Sequence, residues 1–309
     1  MTGSPSMEDQ DGWIWMDGAL VPWREAKAHV LAHTLHHGVG VFEGVRAYRG
    51  AAGTAIFRLG AHTDRFFRSA HILQMALPLT REALNAAQIE TVRANGLQEA
   101  YIRPIAWYGG DRMGVSAQGN RVHVAVAAWR WDAYLGAEAA EKGVTLRTSS
   151  FRRHDANAVT AKAKASGLYI NSVLAVQEAK QAGADDALML DAAGHVAEAS
   201  TSNVFAVVEG RLATPGRAAI LEGITRDTVI VLARELGLDV REETLTRDAL
   251  YVAEEIFMTG TASEITPVVA LDGRVIGDGV PGPVTRAIQR AYRAAVSGES
   301  GHSEWLTPV

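Results

Sequence analysis

Strand-like runs outnumber helical ones in this 309-residue chain, and few follow the strand–helix–strand rhythm of a parallel sheet. That pattern limits the fold to an α+β-like arrangement. Trp13 to Val21, Val45 to Tyr48, Ala55 to Phe57, Tyr101 to Tyr108 and Arg121 to Trp129 read as strands, with turns at Asp17-Gly18 and around Gly50-Gly53. Phe66, Phe67, Ala70, Leu73 and Leu77 recur at helical spacing and predict a helix over Ala61 to Gln74. Arg81 to Asn95 predicts a second helix, closed by Gly96. The pattern breaks at Trp131-Asp132-Ala133-Tyr134-Leu135-Gly136. The chain is therefore divided into an N-terminal domain (1–130), an interdomain loop (131–140) and a C-terminal domain (141–309). Beyond the loop, strands are expected at Val144 to Ser149, Asp186 to Asp191, Val196 to Val208 and Glu255 to Met258. Helices are expected at Gly167 to Ala182, Arg226 to Leu236 and Pro281 to Ala295, and the tail from Ser297 is expected to be loosely ordered.

With 48% hydrophobic and 21% charged residues the chain can bury a sizeable core. A net charge of −5 argues against a nucleic-acid or anionic-membrane partner. Cysteine is absent, which excludes disulfides, thiolate metal sites and a cysteine nucleophile. Met1 to Asp11 lack a basic start and an apolar run, so no signal peptide is expected, and no stretch has the length of a membrane span. The expectation is a soluble cytoplasmic protein.

Two lysines lie in the run Ala161-Lys162-Ala163-Lys164-Ala165-Ser166-Gly167-Leu168-Tyr169, in a chain with five lysines in all. Small apolar neighbours can partly desolvate an amine, and a neutral amine attacks carbonyls to form a Schiff base. The plainer alternative is a solvent-facing lysine at a helix start. Thr225, after Gly223-Ile224, reads as the N-cap of a helix whose free amides can bind an anion. Thr261, after Gly260, could add a hydroxyl and an amide, although each threonine alone fits ordinary capping or turn chemistry. Arg65 sits among apolar positions of the first helix. Glu198 ends a strand beside Ala199-Ser200-Thr201-Ser202-Asn203 and can point into a cleft, or be a surface glutamate. His29, His33, His36 and His37 raise a metal reading, but no Asp or Glu lies between Lys27 and Glu43, so a metal site is not expected. Gly38-x-Gly40 does not run from a strand into a helix, which leaves a dinucleotide fingerprint weak.

Taken together, the chain resembles the branched-chain amino acid aminotransferases of the pyridoxal-phosphate fold type IV class. The resemblance rests on Phe42-Glu43-Gly44-Val45-Arg46, Tyr101-Ile102-Arg103-Pro104, Met113-Gly114-Val115, Ala133-Tyr134-Leu135-Gly136, Lys164-Ala165-x-Gly167-x-Tyr169, Gly223-Ile224-Thr225-Arg226 and Gly260-Thr261-Ala262-x-Glu264-Ile265-Thr266-Pro267-Val268. It implies two α/β domains of the D-amino acid aminotransferase-like fold, a homodimer or higher homo-oligomer, and pyridoxal 5'-phosphate as cofactor. By the same resemblance Lys164 is the Schiff-base lysine, Tyr169 bonds the cofactor's ring oxygen, and Glu198 pairs with the pyridine nitrogen. Arg65, Ile224, Thr225 and Thr261 are implied to hold the phosphate, and Phe42, Tyr101, Arg103, Tyr134, Thr261 and Ala262 to shape the substrate pocket.

The implied reaction is transamination between a branched-chain L-amino acid and 2-oxoglutarate. The run Ala199 to Ser202, His37 and the large Trp107 depart from the family pattern and bear on substrate range. Rivals of the same fold are a D-amino acid or (R)-amine transaminase and an aminodeoxychorismate lyase. A metal-dependent hydrolase built on the histidines is a rival of another class, and a non-catalytic relative is argued against by the intact Lys164, Tyr169 and Glu198.

Overall fold

The computed structural model describes residues 6–131, 138–155 and 157–309, which divide into two units. The first comprises residues 6–131, Ala163–Gly167 and His302–Val309; the second comprises the described residues of 138–162 and Leu168–Gly301. Two segments that sequence assigned to the C-terminal side, Ala163–Gly167 and His302–Val309, thus pack with the first unit. Residues 132–137, within the expected interdomain loop, lie outside the described residues.

The first unit runs β1 (Trp13–Met16), β2 (Ala19–Pro22), α1 (His33–His37), β3 (Gly40–Phe42), β4 (Val45–Gly50), β5 (Gly53–Phe57), α2 (Leu59–Ile72), α3 (Arg81–Ala94), β6 (Ala100–Tyr108) and β7 (Val122–Trp129). Its strand pairs are all antiparallel. The apolar stripes of α2 and α3 supply Phe66, Ala70, Leu84 and Val92 to a core shared with Val45, Ile56, Ile102 and Val126 of the sheet. Phe66 is fully buried, and cutting such a side chain back to alanine costs about 3–5 kcal/mol.

The second unit runs α4 (Ala139–Lys142), β8 (Val144–Thr148), α5 (Tyr169–Gln181), β9 (Asp186–Leu190), β10 (Val196–Ala199), β11 (Asn203–Val208), β12 (Arg211–Pro215), α6 (Ile224–Glu235), β13 (Val240–Glu243), α7 (Arg247–Tyr251), β14 (Glu255–Gly260), β15 (Glu264–Leu271), β16 (Arg274–Val275) and α8 (Pro283–Ser297). Its sheet is mixed, in the order β10-β9-β8-β15-β14-β11-β12-β13. The pairs β8–β9 and β12–β13 are parallel, and each is joined through a helix, α5 and α6 respectively. The run Val196 to Val208, expected as one strand, breaks into β10 and β11. The amide of Ala199 donates to the carbonyl of Ser202 and closes a Ser/Thr turn between them. Phe205 and Phe257 are cross-strand partners on β11 and β14 with rings stacked 5.1 Å apart.

The tail is ordered, contrary to expectation. β17 (Leu306–Pro308) pairs with β5 and forms the edge of that sheet, and Trp305 stacks on His302 at 3.8 Å and meets Phe57 edge-on. The Arg58 amide, at the uncapped start of α2, donates to the Trp305 carbonyl at 2.6 Å. Composition suggested a loose end because Gly298 to Ser303 are small and polar, while the residues that anchor the segment are only the last few.

Two glycines let the lysine segment approach α1. Gly38 closes α1 with φ +72°, and a Cβ there would lie 3.0 Å from the Gly167 Cα. Gly38→Ala is therefore expected to destabilise the protein by about 1–2 kcal/mol. Gly60→Ala, in α2 with open space around the added methyl, is expected to be neutral or stabilising by up to about 1 kcal/mol. Urea midpoints followed by circular dichroism check the pair, and shifts of the same sign and size would contradict this account of Gly38.

Candidate active site

In the first unit Ala163 and Ala165 are buried while Lys164 between them is half-buried, as expected for an extended segment with alternating faces. The backbone of this segment is tied at three points. The Phe42 amide donates to the Lys164 carbonyl (3.1 Å), the Lys164 amide donates to Ser69 Oγ (3.0 Å), and the Gly167 amide donates to the Gly38 carbonyl (3.0 Å). Val41 and Ala165 add an antiparallel bridge. The lysine is therefore held by an extended segment ahead of α5, not by a helix start. Its Nζ lies 5.0 Å from the centre of the Phe42 ring.

One face of α2 carries His62, Arg65 and Ser69, all buried. Arg65 is held bidentately by Glu43: Nε donates to Oε1 at 2.6 Å and Nη2 to Oε2 at 2.8 Å. His62 Nδ1 donates to the same Oε2 at 2.8 Å. Burial pushes the Glu43 carboxyl up, but the charge and hydrogen bonds of Arg65, with those of His62, outweigh it and hold the group well below the usual carboxylate range. Burial also lowers His62, against the pull of Glu43 and with the repulsion of Arg65 and Lys164. His62 is thus neutral, with its proton on Nδ1.

Tyr101 and Arg103 stand two apart on β6, on one face, and join Phe42. The Arg103 guanidinium carbon sits 4.8 Å from the Phe42 ring centre, 5.4 Å from Tyr101 and 6.0 Å from Trp129. Its Nε is buried and has no hydrogen-bond partner among the described residues. Tyr101 stacks on Trp131 at 4.5 Å. Gly44 passes under the tyrosine so closely that a Cβ would fall 1.9 Å from its hydroxyl. Tyr134 lies outside the described residues. Trp107 stacks on His123 at 5.3 Å. His33 and His37 stack at 4.2 Å, and His33 Nε2 is 2.9 Å from the Gly114 carbonyl, which fixes a neighbouring loop. Among the described residues no group of three His, Cys, Asp or Glu could hold a metal ion.

The second unit brings together the other expected residues. Glu198, on β10, is buried; Arg153 Nη2 lies 2.8 Å from its Oε1. Asn203 Nδ2 (3.1 Å) and the Leu221 amide (3.3 Å) donate to Oε2. Asn203 Nδ2 also donates to the Leu221 carbonyl, and a Cβ on Gly223 would fall 2.0 Å from Asn203 Oδ1. The glutamate is thereby connected to the segment that starts α6. The N-cap of α6 is Gly223, not Thr225, and no side chain caps it. Thr225 is the second helical residue, so its hydroxyl and the first-turn amides share one end. Arg226 fastens that turn by donating from Nη2 to the Pro215 carbonyl and to Glu242, both at 2.9 Å. Asn203 pairs in register with Thr259, after which Gly260 leads into Thr261 and Ala262 in the turn to β15. Tyr169 opens α5, and Asn171, two residues on, is 3.4 Å from Arg153 Nη1.

Sequence reasoning did not single out Glu43 or Arg153 as functional residues. A glutamate inside the apolar context Val41-Phe42-Glu43-Gly44-Val45 is the available signal, because a buried carboxylate needs a partner. Nothing local marks Arg153, since its partner lies on a distant strand.

The amino-transferase class IV family model matches residues 40–271. The branched-chain-amino-acid aminotransferase of Pseudomonas aeruginosa is 54% identical over 305 residues, covering 98% of this chain and 99% of the relative. Among solved structures, a T.th. branched-chain amino acid aminotransferase with pyridoxamine 5'-phosphate superposes with a TM-score of 0.94 at 50% identity, over 97% of this chain and 99% of that one. The same enzyme complexed with N-(5'-phosphopyridoxyl)-L-glutamate gives a TM-score of 0.93 at 48% identity, with the same coverage. The chain belongs to the class IV aminotransferases and, among them, to the branched-chain amino acid aminotransferases.

Proposed function

We propose that the chain transfers the amino group of L-leucine, L-isoleucine or L-valine to 2-oxoglutarate, giving a branched 2-oxo acid and L-glutamate, with pyridoxal 5'-phosphate held on Lys164. The observation that carries this reading is the pair of nitrogen groups around one aromatic ring: the Lys164 amine and the Arg103 guanidinium both face Phe42. An aliphatic side chain can pack on Phe42 and Tyr101, while the side-chain carboxylate of glutamate or 2-oxoglutarate can take the buried N–H of Arg103. The L-glutamate adduct bound by the T.th. relative supports the acceptor.

The donor set fits the cofactor. It offers an amine, a buried carboxylate for a ring N–H, an uncapped helix start with a hydroxyl, and a buried arginine for a phosphate dianion. When bound, pyridoxal phosphate supplies an aldehyde for the amine and an electron-withdrawing ring for the carbanion. Lys164 would be the covalent anchor for that aldehyde, and its amine, when free, would take up the proton of the donor's α-carbon. Arg153 and Asn203 fix the Glu198 carboxyl group, which would pair with the ring nitrogen, and Tyr169 would bond the ring oxygen. Arg65, Ile224, Thr225 and Thr261 would hold the phosphate. Phe42, Tyr101, Arg103, Tyr134, Thr261 and Ala262 enclose the substrate. A homodimer or larger homo-oligomer goes with this reading: Ile170, Val173 and Leu174 on α5 are exposed apolar side chains that a second copy would cover. A cytoplasmic location and a role in amino-acid biosynthesis belong to the same proposal. Among the described residues no helix is long and apolar enough to cross a membrane.

The purified protein with pyridoxal phosphate is expected to show a visible absorption band that fades on adding L-leucine and returns with 2-oxoglutarate. A band that ignores L-leucine but fades with a D-amino acid or an (R)-amine would overturn the substrate assignment. Lys164→Ala is expected to remain folded and to bind cofactor while losing at least about 10³-fold in turnover. Steady-state rates with L-leucine and 2-oxoglutarate should give parallel double-reciprocal lines, as a ping-pong sequence requires, and near-normal turnover in Lys164→Ala would remove the lysine from its role.

A further inference from the structure

Glu43 is fully buried between β3 and β4, and both oxygens of its carboxylate bond side chains of α2. Both oxygens meet the Nε–Nη2 edge of Arg65, and Oε2 also accepts from His62 and, at 3.3 Å, from the Gly44 amide. The Glu43 backbone is fixed as well, since its amide donates to the Pro104 carbonyl at 2.9 Å. A guanidinium is a rigid planar fork, so gripping one edge decides where the other N–H groups point. A lone arginine on a helix samples many rotamers; one held at two atoms by a buried acid does not. His62 completes the arrangement. Being neutral, it donates a hydrogen bond without competing for the charge of Glu43, so one carboxylate balances one guanidinium inside the fold. Ser69, one turn beyond Arg65 on the same helix face, holds the Lys164 backbone. The helix that carries the arginine therefore also sets the lysine segment.

We propose that Glu43 is a positioning residue for Arg65: it fixes the plane of the guanidinium that binds the cofactor's phosphate, and it contributes to cofactor affinity only through that phosphate. The proposal rests on the reading of Arg65 as a phosphate ligand given above.

The test compares pyridoxal phosphate with pyridoxal, which lacks the phosphate, as ligands of the full-length protein freed of cofactor, with binding followed by tryptophan fluorescence. Glu43→Gln is expected to weaken pyridoxal phosphate about tenfold to a hundredfold while leaving pyridoxal within about twofold of wild type. The double variant Glu43→Gln/Arg65→Met, which leaves no buried charge unpaired, is expected to show the same selective loss. Should Glu43→Gln not fold, Glu43→Asp, which draws the guanidinium back by one methylene, should show the selective loss to a smaller degree. Equal weakening of both ligands, or a fall in melting temperature with both affinities kept, would make Glu43 a purely structural partner and overturn the proposal. Wild-type discrimination in the double variant would overturn it by removing Arg65 from the phosphate, a failure distinguishable from the first because Arg65 itself then carries no phosphate preference.

Discussion

The position of Lys164 depends on how a short segment of small residues is pinned by its backbone. Ala163–Gly167 has no bulk of its own to anchor it. Three main-chain hydrogen-bond links and a bridge to Val41 do so instead, through β3, α2 and the end of α1. Pinning the main chain fixes where the Lys164 side chain starts. Alanines at 163 and 165 and glycines at 38 and 167 are what allow so close an approach.

Each unit then buries an acid against an arginine: Glu43 with Arg65 in the first, Glu198 with Arg153 in the second. Such pairs are poor sources of stability, because desolvation offsets most of the attraction. Their value lies in orientation. A carboxylate held by Arg153, Asn203 and the Leu221 amide keeps one direction; a guanidinium held by Glu43 keeps its plane. Arg226 plays a comparable part for the first turn of α6, where the free amides and Thr225 gather. Preorganised charge of this kind costs no rearrangement when the ligand arrives.

Much of this is legible from residue order. The helical spacing of Phe66, Phe67 and Ala70 locates α2, and the small-residue lysine run stands out by its composition. The family resemblance assigns roles to Lys164, Tyr169, Glu198 and Thr225. What stays hidden is pairing across distance. Glu43 and Arg65 are 22 residues apart, so no local pattern joins them. The break between β10 and β11 escapes the sequence pattern because Val196 to Val208 is apolar enough on both sides to read as one strand. The ordered tail escapes it because it borrows its order from β5 and Phe57. Sequence puts the helix cap two residues late because glycine caps by its backbone alone, without a side-chain signal.

The central claim is that Lys164, and not its neighbour Lys162, carries the cofactor. Lys162 is turned to other partners: its Nζ donates to the Arg217 carbonyl and lies 3.4 Å from Glu222. Borohydride reduction of the protein loaded with pyridoxal phosphate, followed by mass spectrometry of the peptide spanning both lysines, tests the claim directly. A single phosphopyridoxyl adduct on Lys164 is the predicted result. An adduct on Lys162, or on neither lysine, would contradict it.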